Sequence, residues 1–297
     1  MSIERVLVAG AGAMGSQIAM VSALGGHDVT LYDTDPAAPD RAIEQLRGRL
    51  DGQVAKGRRT AEDVAAAFSR LHPATELVTD VDLVIEAIVE KLPIKRAFFA
   101  QLDELCPDGT ILASNSSSFV PSVMASATGR PDRFVNLHFF NPALVMKCVE
   151  IVRGPQTSDE TVAVTRAYVE GIGKLPVVLD KEIPGFVANR LLNAIRDEAI
   201  SLLEGGYASV EAIDTAARTA LGYPMGPFEL MDLTGIDIGY YTKLGRFDET
   251  GDPADRPSAT VTRLVEQGTL GRKSGRGFYT YDDQGNRTGV APDEGEQ

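Results

Sequence analysis

The sequence has few residues of the kinds that build disulfide frameworks and metal centres. It contains two cysteines, Cys106 and Cys148, which lie far apart in the chain, and three histidines, none of them near a cysteine. This distribution excludes a disulfide scaffold and a zinc knuckle, and we expect no bound metal. Because structural disulfides belong to oxidising compartments, the scarcity of cysteine favours a cytoplasmic protein.

Long apolar runs and an excess of positive charge are also absent. No window of about 18 residues is both apolar and uncharged, so we predict no membrane span. The chain carries 42 acidic against 29 basic residues, a net charge of −13. Such a charge repels nucleic acids and anionic membranes, and we expect neither of them as a partner.

One segment departs from this balance. Residues 41–59 contain two acidic residues and the following bases: Arg41, Arg47, Arg49, Lys56, Arg58 and Arg59. Charge alone favours a solvated helix face, and the alternative is a local patch that binds the phosphate groups of a small polyanion.

The chain is long enough for two domains, since it has 297 residues of which 43% are hydrophobic. Up to about residue 180, short apolar runs alternate with helical patterns. We predict strands at 6–9, 29–32, 83–85, 111–113 and 134–137, and helices at 14–24, 41–54 and 94–105. This alternation predicts an α/β fold of the Rossmann type, a doubly wound sheet with helices on both faces.

Proline and glycine at 184 and 185 interrupt this alternation. The helical patterns that follow lie at 186–203, 209–221, 229–244 and 257–267, so the second domain is mostly α-helical. We predict a first domain over residues 1–182, a helical domain over 183–283, and a flexible tail over 284–297, which is polar and contains glycine.

Glycines follow the first predicted strand in a pattern that binds dinucleotides. The string is Gly10-Ala11-Gly12-Ala13-Met14-Gly15, and it opens the first helix. Gly10 permits a tight turn, Gly12 lets a pyrophosphate approach the backbone, and Gly15 lets the helix pack closely on the strand. FAD sites share this motif, so it does not by itself indicate a dehydrogenase.

A carboxylate, Asp33, ends the second predicted strand. At this spacing from the glycines, an acidic side chain bonds the ribose hydroxyls and repels a 2′-phosphate. No arginine follows before Arg41. The cofactor is therefore predicted to be NAD rather than NADP.

Oxidation of an alcohol needs a base, and histidine is the commonest base near neutral pH. His27 lies in the turn before the second predicted strand, and His72 precedes a proline and is expected in a loop. His138 ends an apolar strand, at the edge of the sheet where open α/β folds bind ligands. It is the candidate base, although its position alone also suits a structural histidine.

Three further polar features accompany it. The run 114–118 contains four serines, which could cap the next helix or donate a hydroxyl to a substrate. Glu150 lies inside an apolar run and would be costly to bury unless paired, with His138 as a candidate partner. Asn189 lies beside the apolar stripe of the long helix and can face a cleft.

These motifs together resemble those of the 3-hydroxyacyl-CoA dehydrogenase family, and most of all its 3-hydroxybutyryl-CoA members. The resemblance covers about residues 3–281. Besides the glycine string, it rests on Val84-Ile-Glu-Ala-Ile-Val-Glu90, Ala113-Ser-Asn-Ser-Ser-Ser118, His138-Phe-Phe-Asn-Pro142, Pro184-Gly-Phe-Val-Ala-Asn-Arg-Leu-Leu192, Pro224-Met-Gly-Pro-Phe-Glu-Leu230 and Gly271-Arg-Lys-Ser-Gly-Arg-Gly-Phe-Tyr279.

The resemblance implies roles for individual residues. His138 matches the base, Glu150 its paired glutamate, Ser117 the serine that bonds the substrate oxygen, and Asn189 the active-site asparagine. The implied cofactor contacts are the glycine loop, Asp33, Glu90, Lys95, Ser117, Asn141 and Lys273. The family also places CoA near the helices that follow Asp33, which makes Arg47 and Lys56 candidate substrate contacts.

The implied activity is NAD-dependent oxidation of (S)-3-hydroxyacyl-CoA, and the reverse reduction, on short acyl chains. An acyl group on a carrier protein, as in polyketide precursor synthesis, is the alternative substrate. A β-hydroxyacid dehydrogenase would use a lysine base, which the string 138–142 opposes, and a non-enzymatic NAD-binding protein would not need all four active-site residues. The apolar content of 186–245 and the family resemblance predict a homodimer.

Overall fold

The computed structural model describes residues 2–292, except the side chains of residues 249, 250 and 254. The chain divides after Val187 into two compact units. Phe186 is fully buried against Val152 and Leu179, which keeps the turn 183–186 in the first unit. The boundary therefore lies five residues later than the predicted one at 182.

One eight-stranded sheet forms the centre of the first unit. Its strands are β1 (Arg5–Ala9), β2 (Asp28–Tyr32), β3 (Leu71–Ala74), β4 (Leu83–Glu86), β5 (Ile111–Ser114), β6 (Phe134–Phe139), β7 (Cys148–Arg153) and β8 (Leu175–Leu179). They lie in the order β3-β2-β1-β4-β5-β6-β7-β8, and all neighbours are parallel except β6 and β7. The first six have the strand order of a doubly wound dinucleotide-binding fold, and the predicted fold class is confirmed.

Helices cover both faces of this sheet. They are α1 (Ala13–Leu24), α2 (Ala38–Ala55), α3 (Ala61–Phe68), α4 (Leu92–Leu105), α5 (Pro121–Ala125) and α6 (Asp159–Gly171). Val6 and Val8 belong to one hydrophobic core, whereas Leu7 between them belongs to a second core. Successive side chains of a strand point to opposite faces, so a strand buried on both faces is apolar throughout.

His72 lies in a strand rather than in the predicted loop. It belongs to β3, where it pairs with Thr30, and its Nε2 lies 2.7 Å from Oδ1 of Asp28. The following residue, Pro73, indicated a loop, but β3 is the edge strand of the sheet, where a proline is tolerated. The two short edge strands, β3 and β8, were not predicted from the sequence.

The second unit is mostly helical, as predicted. It contains α7 (Ala188–Glu204), α8 (Val210–Ala220), α9 (Pro227–Thr234), α10 (Ile236–Thr250) and α11 (Ala259–Glu266). Gly235 has φ +98° and separates α9 from α10, so the helix predicted over 229–244 is in fact two helices.

A two-stranded hairpin, β9 (Tyr279–Tyr281) and β10 (Arg287–Val290), follows these helices. The described part of the predicted flexible tail, residues 284–292, therefore contains a paired strand, and residues 293–297 lie outside the described residues. No helix between residues 2 and 292 is both long and apolar enough to cross a membrane.

Candidate active site

The glycine loop joins β1 to α1, and its glycines are there for different steric reasons. Gly10 has φ +102°, and a Cβ on it would lie 2.5 Å from the carbonyl oxygen of Ala87. A Cβ on Gly15 would lie 1.8 Å from the carbonyl oxygen of Gly10, so these two positions exclude any side chain. A Cβ on Gly12 would meet no atom within 4 Å, which leaves open space beside the N-terminus of α1. That space suits the pyrophosphate of a dinucleotide.

Asp33 lies at a cleft of about 410 Å³ together with Gly12 and Arg49. Its Oδ2 accepts a hydrogen bond of 2.7 Å from the Ala11 N–H of the glycine loop. The neighbouring Arg41 also lines the cleft, but it pairs with Asp35 at 2.5 Å. The cleft thus has a carboxylate next to the glycine loop and a partly neutralised arginine, an arrangement that fits the adenosine half of NAD.

A buried carboxylate that was not predicted as a site residue, Glu86, ends β4. It is 0% exposed, and its carboxylate accepts hydrogen bonds from the Ile88 N–H, the Lys95 ammonium and the Ser114 hydroxyl at 2.8, 2.5 and 2.7 Å. The signal that found Glu150, a carboxylate inside an apolar strand, would also have found Glu86. Its bonds connect β4, α4 and β5 at the carboxyl edge of the sheet.

Glu90 and Lys95, two predicted cofactor contacts, belong to the same network. The Lys95 side chain is 1% exposed, and its ammonium lies 3.0 Å from Oε2 of Glu90 as well as beside Glu86. Glu90 also accepts hydrogen bonds from the Ser116 hydroxyl and the Ser118 N–H. Burial raises the pKa of Glu90, but the bond from Ser116 and the charge of Lys95 outweigh it and hold the pKa below its usual value.

The serines of 114–118 have different surroundings. The hydroxyls of Ser114 and Ser116 bond Glu86 and Glu90, whereas Ser117 is exposed and makes no hydrogen bond within residues 2–292. Asn115 ties the segment to β6, because its Oδ1 accepts the Phe139 N–H at 2.9 Å. Two serines therefore hold the loop, and Ser117 retains a hydroxyl for a ligand.

His138 and Glu150 form a pair across two antiparallel strands. They are register partners on β6 and β7, and Nδ1 of His138 lies 2.8 Å from Oε2 of Glu150. The two residues are 5% and 1% exposed. Because an ionised carboxylate only accepts, a neutral imidazole in this contact carries its proton on Nδ1, which leaves the lone pair on Nε2.

Aromatic rings and a tight turn enclose this pair. The imidazole lies 4.5 Å from the Phe140 ring and 5.4 Å from the Phe186 ring, between centroids. Phe186 has φ +48°, a left-handed conformation that is uncommon outside glycine. The next N–H, of Val187, donates to Oε1 of Glu150 at 3.0 Å. Proline and glycine at 184 and 185 predicted only an interruption of the alternating pattern, so the contact of Phe186 with the histidine was not predicted from the sequence.

Of the remaining predicted site residues, one lies in the first unit and two lie in the second. Asn141 is exposed in the loop after β6, in the first unit. Asn189 lies in the first turn of α7 in the second unit and is half-buried. Lys273 of the second unit pairs with both oxygens of Asp237 at 2.6 and 2.7 Å.

The basic segment of residues 41–59 spans most of α2 and the turn that follows it. Arg47 is exposed, and its guanidinium carbon lies 4.3 Å above the centre of the Phe68 ring. Lys56 is exposed just after the end of α2. Both side chains have a cationic group at the surface. Within residues 2–292, no cluster of histidine, cysteine, aspartate and glutamate has the geometry to hold a metal ion.

Family models match both units. The NAD-binding domain of 3-hydroxyacyl-CoA dehydrogenase matches residues 5–183, and the C-terminal domain of the same family matches residues 185–281. The first of these matches confirms NAD as the cofactor.

Individual relatives match nearly the whole chain. A probable 3-hydroxybutyryl-CoA dehydrogenase of Bacillus subtilis is 40% identical over 286 residues, 96% of this chain and 99% of that protein. The human mitochondrial hydroxyacyl-coenzyme A dehydrogenase is 40% identical over 94% of this chain and 91% of its own length. The crystal structure of (S)-3-hydroxybutyryl-CoA dehydrogenase from Ralstonia eutropha superposes with a TM-score of 0.87 at 38% identity, covering 95% of this chain and all of that one.

These relatives do not support the carrier-protein alternative. The family models together cover nearly all of the described residues, and the relatives match over almost their entire length. The chain belongs to the 3-hydroxyacyl-CoA dehydrogenase family and is an NAD-dependent oxidoreductase of that family.

Proposed function

We propose that the chain oxidises short-chain (S)-3-hydroxyacyl-CoA esters, such as 3-hydroxybutyryl-CoA, to 3-ketoacyl-CoA esters, and catalyses the reverse reduction. The relatives named for 3-hydroxybutyryl-CoA support the substrate class. The observation that carries the mechanism is the 2.8 Å contact between His138 and Glu150.

In this mechanism, Nε2 of neutral His138 removes the proton of the 3-hydroxyl group. NAD supplies the acceptor for the hydride that leaves C3. Glu150 keeps the proton on Nδ1, orients the ring, and stabilises the imidazolium that forms. In the reduction, the imidazolium of His138 returns the proton to the oxygen.

Ser117 and Asn189 are proposed to hold the reacting oxygen. Ser117 is suited to this role because its hydroxyl is exposed and bonds no other described residue. The proposed cofactor contacts are the glycine loop of residues 10–15, Asp33, Glu90, Lys95, Ser117, Asn141 and Lys273. Lys95 acts from within its buried pairs with Glu86 and Glu90.

A Glu150→Gln variant tests the mechanism. Without the anion, the imidazolium that forms during oxidation loses its counter-charge and the ring loses its orienting partner, so kcat falls. A kcat near that of the wild type would make Glu150 a structural carboxylate. Rates with acetoacetyl-CoA, longer 3-ketoacyl-CoAs and a carrier-protein thioester, each with NADH, test the substrate class.

We also propose that the protein is a cytoplasmic homodimer. Large apolar side chains of the second unit are exposed, among them Leu191, Ile238 and Tyr241 at 60%, 58% and 62%. Such a surface suits burial against a second copy about a two-fold axis. Light scattering at micromolar concentration tests this, and the mass of a single chain would contradict it.

A further inference from the structure

Three charged side chains beside the carboxyl end of β4 share one network. The ammonium of Lys95 lies 2.5 Å from Oε1 of Glu86 and 3.0 Å from Oε2 of Glu90. The side chains of Glu86 and Lys95 are 0% and 1% exposed, whereas that of Glu90 is 38% exposed. Of the three, Glu90 is the one that reaches the surface, so a ligand at this edge meets Glu86 only through its charge.

Both carboxylates of the network have the bonding of an ionised group. Oε1 of Glu86 accepts the Ile88 N–H and the Lys95 ammonium, and its Oε2 accepts the Ser114 hydroxyl. Burial raises the pKa of Glu90, but a bond from a serine hydroxyl and the charge of Lys95 hold it below the usual value. Two carboxylates therefore surround one ammonium, and the network carries one net negative charge.

No further cation of the described residues forms an ion pair with either carboxylate. Lys91, at the start of α4, is exposed, and solvent screens its charge. Arg96 donates from Nε to a backbone carbonyl of α5 at 2.6 Å. Because Lys95 lies closer to Glu86 than to Glu90, Glu86 neutralises it and the charge of Glu90 remains in excess.

This network lies on the side of the glycine loop that suits the nicotinamide half of NAD. In a doubly wound sheet, a dinucleotide crosses the point where the strand order reverses, which here lies between β1 and β4. Asp33 at the end of β2 suits the adenosine half, so the nicotinamide half belongs on the side of β4 and β5. The glycine loop packs directly against the residue after Glu86, since a Cβ on Gly10 would lie 2.5 Å from the Ala87 carbonyl oxygen.

The two forms of the cofactor differ by one charge at the nicotinamide ring. The ring of NAD⁺ is positively charged, and hydride transfer makes it neutral. A fixed negative charge on this side of the site attracts the oxidised ring and lacks that attraction for the reduced one. If residue 86 were neutral, Lys95 would compensate Glu90, and the difference between the two forms would be lost.

We propose that Glu86 determines how the site discriminates between the two cofactor forms: by neutralising Lys95, it leaves the charge of Glu90 to favour NAD⁺ over NADH. The inference rests on the proposed cofactor contacts Glu90 and Lys95, and it adds a residue that touches no ligand and acts through both of them. Its consequence is that the product NADH is held less tightly than it would be at a neutral site.

The test measures the dissociation constants of NAD⁺ and NADH for the full chain by isothermal titration calorimetry. Glu86→Gln removes one negative charge, and it should raise the ratio of the Kd of NAD⁺ to the Kd of NADH by about 3- to 10-fold. In the double variant Glu86→Gln/Lys95→Met, the charge of Glu90 is again uncompensated. Its ratio should therefore return to within about twofold of the wild-type value.

Glu104→Gln is the matched control, because it removes the same charge from an exposed position near the end of α4. At a rise of about 1.5 Å per residue, Glu104 lies roughly 13 Å from Lys95 along the helix axis, which exceeds the screening length at physiological salt. The ratio for this variant should equal that of the wild type.

An unchanged ratio in Glu86→Gln would overturn the inference. A double variant whose ratio stays as high as that of the single variant would also overturn it, because the lost ion pair rather than the charge would then be responsible. Thermal unfolding shows whether each variant is folded. If Glu86→Gln does not fold, Glu90→Gln removes the same charge from a partly exposed position, and an unchanged ratio there is equally decisive.

Oxidation of 3-hydroxybutyryl-CoA by the wild type, measured separately, distinguishes this inference from the proposed function. Normal oxidation together with an unchanged ratio in Glu86→Gln would reject the role of Glu86 alone. Absent oxidation together with the expected shifts in the ratio would reject the proposed substrate and support the role of Glu86.

Discussion

Two buried carboxylates of the first unit, Glu86 and Glu150, contact a lysine and a histidine, whereas two of the second unit, Asp214 and Asp232, contact backbone N–H groups and tyrosine hydroxyls. Glu86 pairs with Lys95, and Glu150 pairs with His138. In the second unit, Asp232 accepts the N–H groups of Phe278 and Tyr279 and the hydroxyl of Tyr281. Asp214 similarly accepts the N–H groups of residues 228 and 229 and the hydroxyl of Tyr279.

This difference distinguishes carboxylates that can take part in a reaction from carboxylates that hold the fold together. A carboxylate beside a histidine can orient the ring and balance a charge that comes and goes during a reaction. A carboxylate that gathers several fixed donors joins distant segments, and Asp232 thereby holds the hairpin strand β9 against α9. Burial raises the pKa of Asp232 and of Asp214, although their hydrogen bonds act in the opposite direction.

The largest expected effect comes from removing the histidine of the His138–Glu150 pair while the fold is kept. His138→Gln should lower kcat by about 10²–10⁴, because the reaction loses its general base. Urea unfolding should change little, since glutamine can still donate to Glu150. The control is His72→Gln, which alters an exposed histidine of β3, and its kcat should match the wild type. A His138→Gln enzyme with wild-type kcat would remove His138 from the mechanism.

The second variant removes the negative charge of Asp232, a buried carboxylate of the second unit. Asp232→Asn should lower the free energy of unfolding by about 1–3 kcal/mol, because its amide group faces donors that the carboxylate satisfied. Urea denaturation measures this, with the exposed Asp283→Asn as the control. Equal stability of the two variants would contradict the structural role of Asp232.

The pH dependence of the stability loss in Asp232→Asn provides a further test. The raised pKa of Asp232 means that the folded chain binds more protons than the unfolded chain between the ordinary aspartate pKa and the raised value. The contribution of this group to stability therefore falls as pH rises through that window. We expect the loss of stability in Asp232→Asn to be larger below the window than above it, and a constant loss would show that the folded pKa is not raised.

Asp33 differs from both groups, because it is not buried beside a cation and does not gather several donors to join distant segments. Its bond to the Ala11 N–H shapes the glycine loop, and the cleft beside it leaves room for a ribose. Asp33→Ala should weaken NADH binding by about 1.5–3 kcal/mol and reduce the discrimination against NADPH. The ratio of kcat/KM for the two cofactors measures this. A ratio that does not change would assign ribose recognition to another residue.

The smallest expected effect concerns a surface cation. If the segment 41–59 binds CoA phosphates, Arg47→Glu should raise KM for CoA esters by a few-fold, and less at high salt. A pantetheine thioester, which lacks the nucleotide, should show no change. Equal effects on both substrates would show that the segment is a solvated helix face that binds no phosphate, with Arg47 stacked on Phe68.

Patterns that are local in the chain could be predicted from the sequence. The first strands, the glycine loop and Asp33 follow from apolar runs and from steric requirements within a few residues of each other. His138 was also predicted, because it ends an apolar strand at the edge where such sheets bind ligands, and Glu150 was predicted because it is a carboxylate inside an apolar run.

Contacts between distant segments were decided by the tertiary structure. The sequence could place Glu150 only as a candidate partner, and the antiparallel register of β6 and β7 sets it opposite His138. The pair of Glu86 with Lys95 and the donors around Asp232 bring together segments that no short pattern connects. Local propensity determines which elements form, whereas the partner of a buried charge depends on how those elements pack.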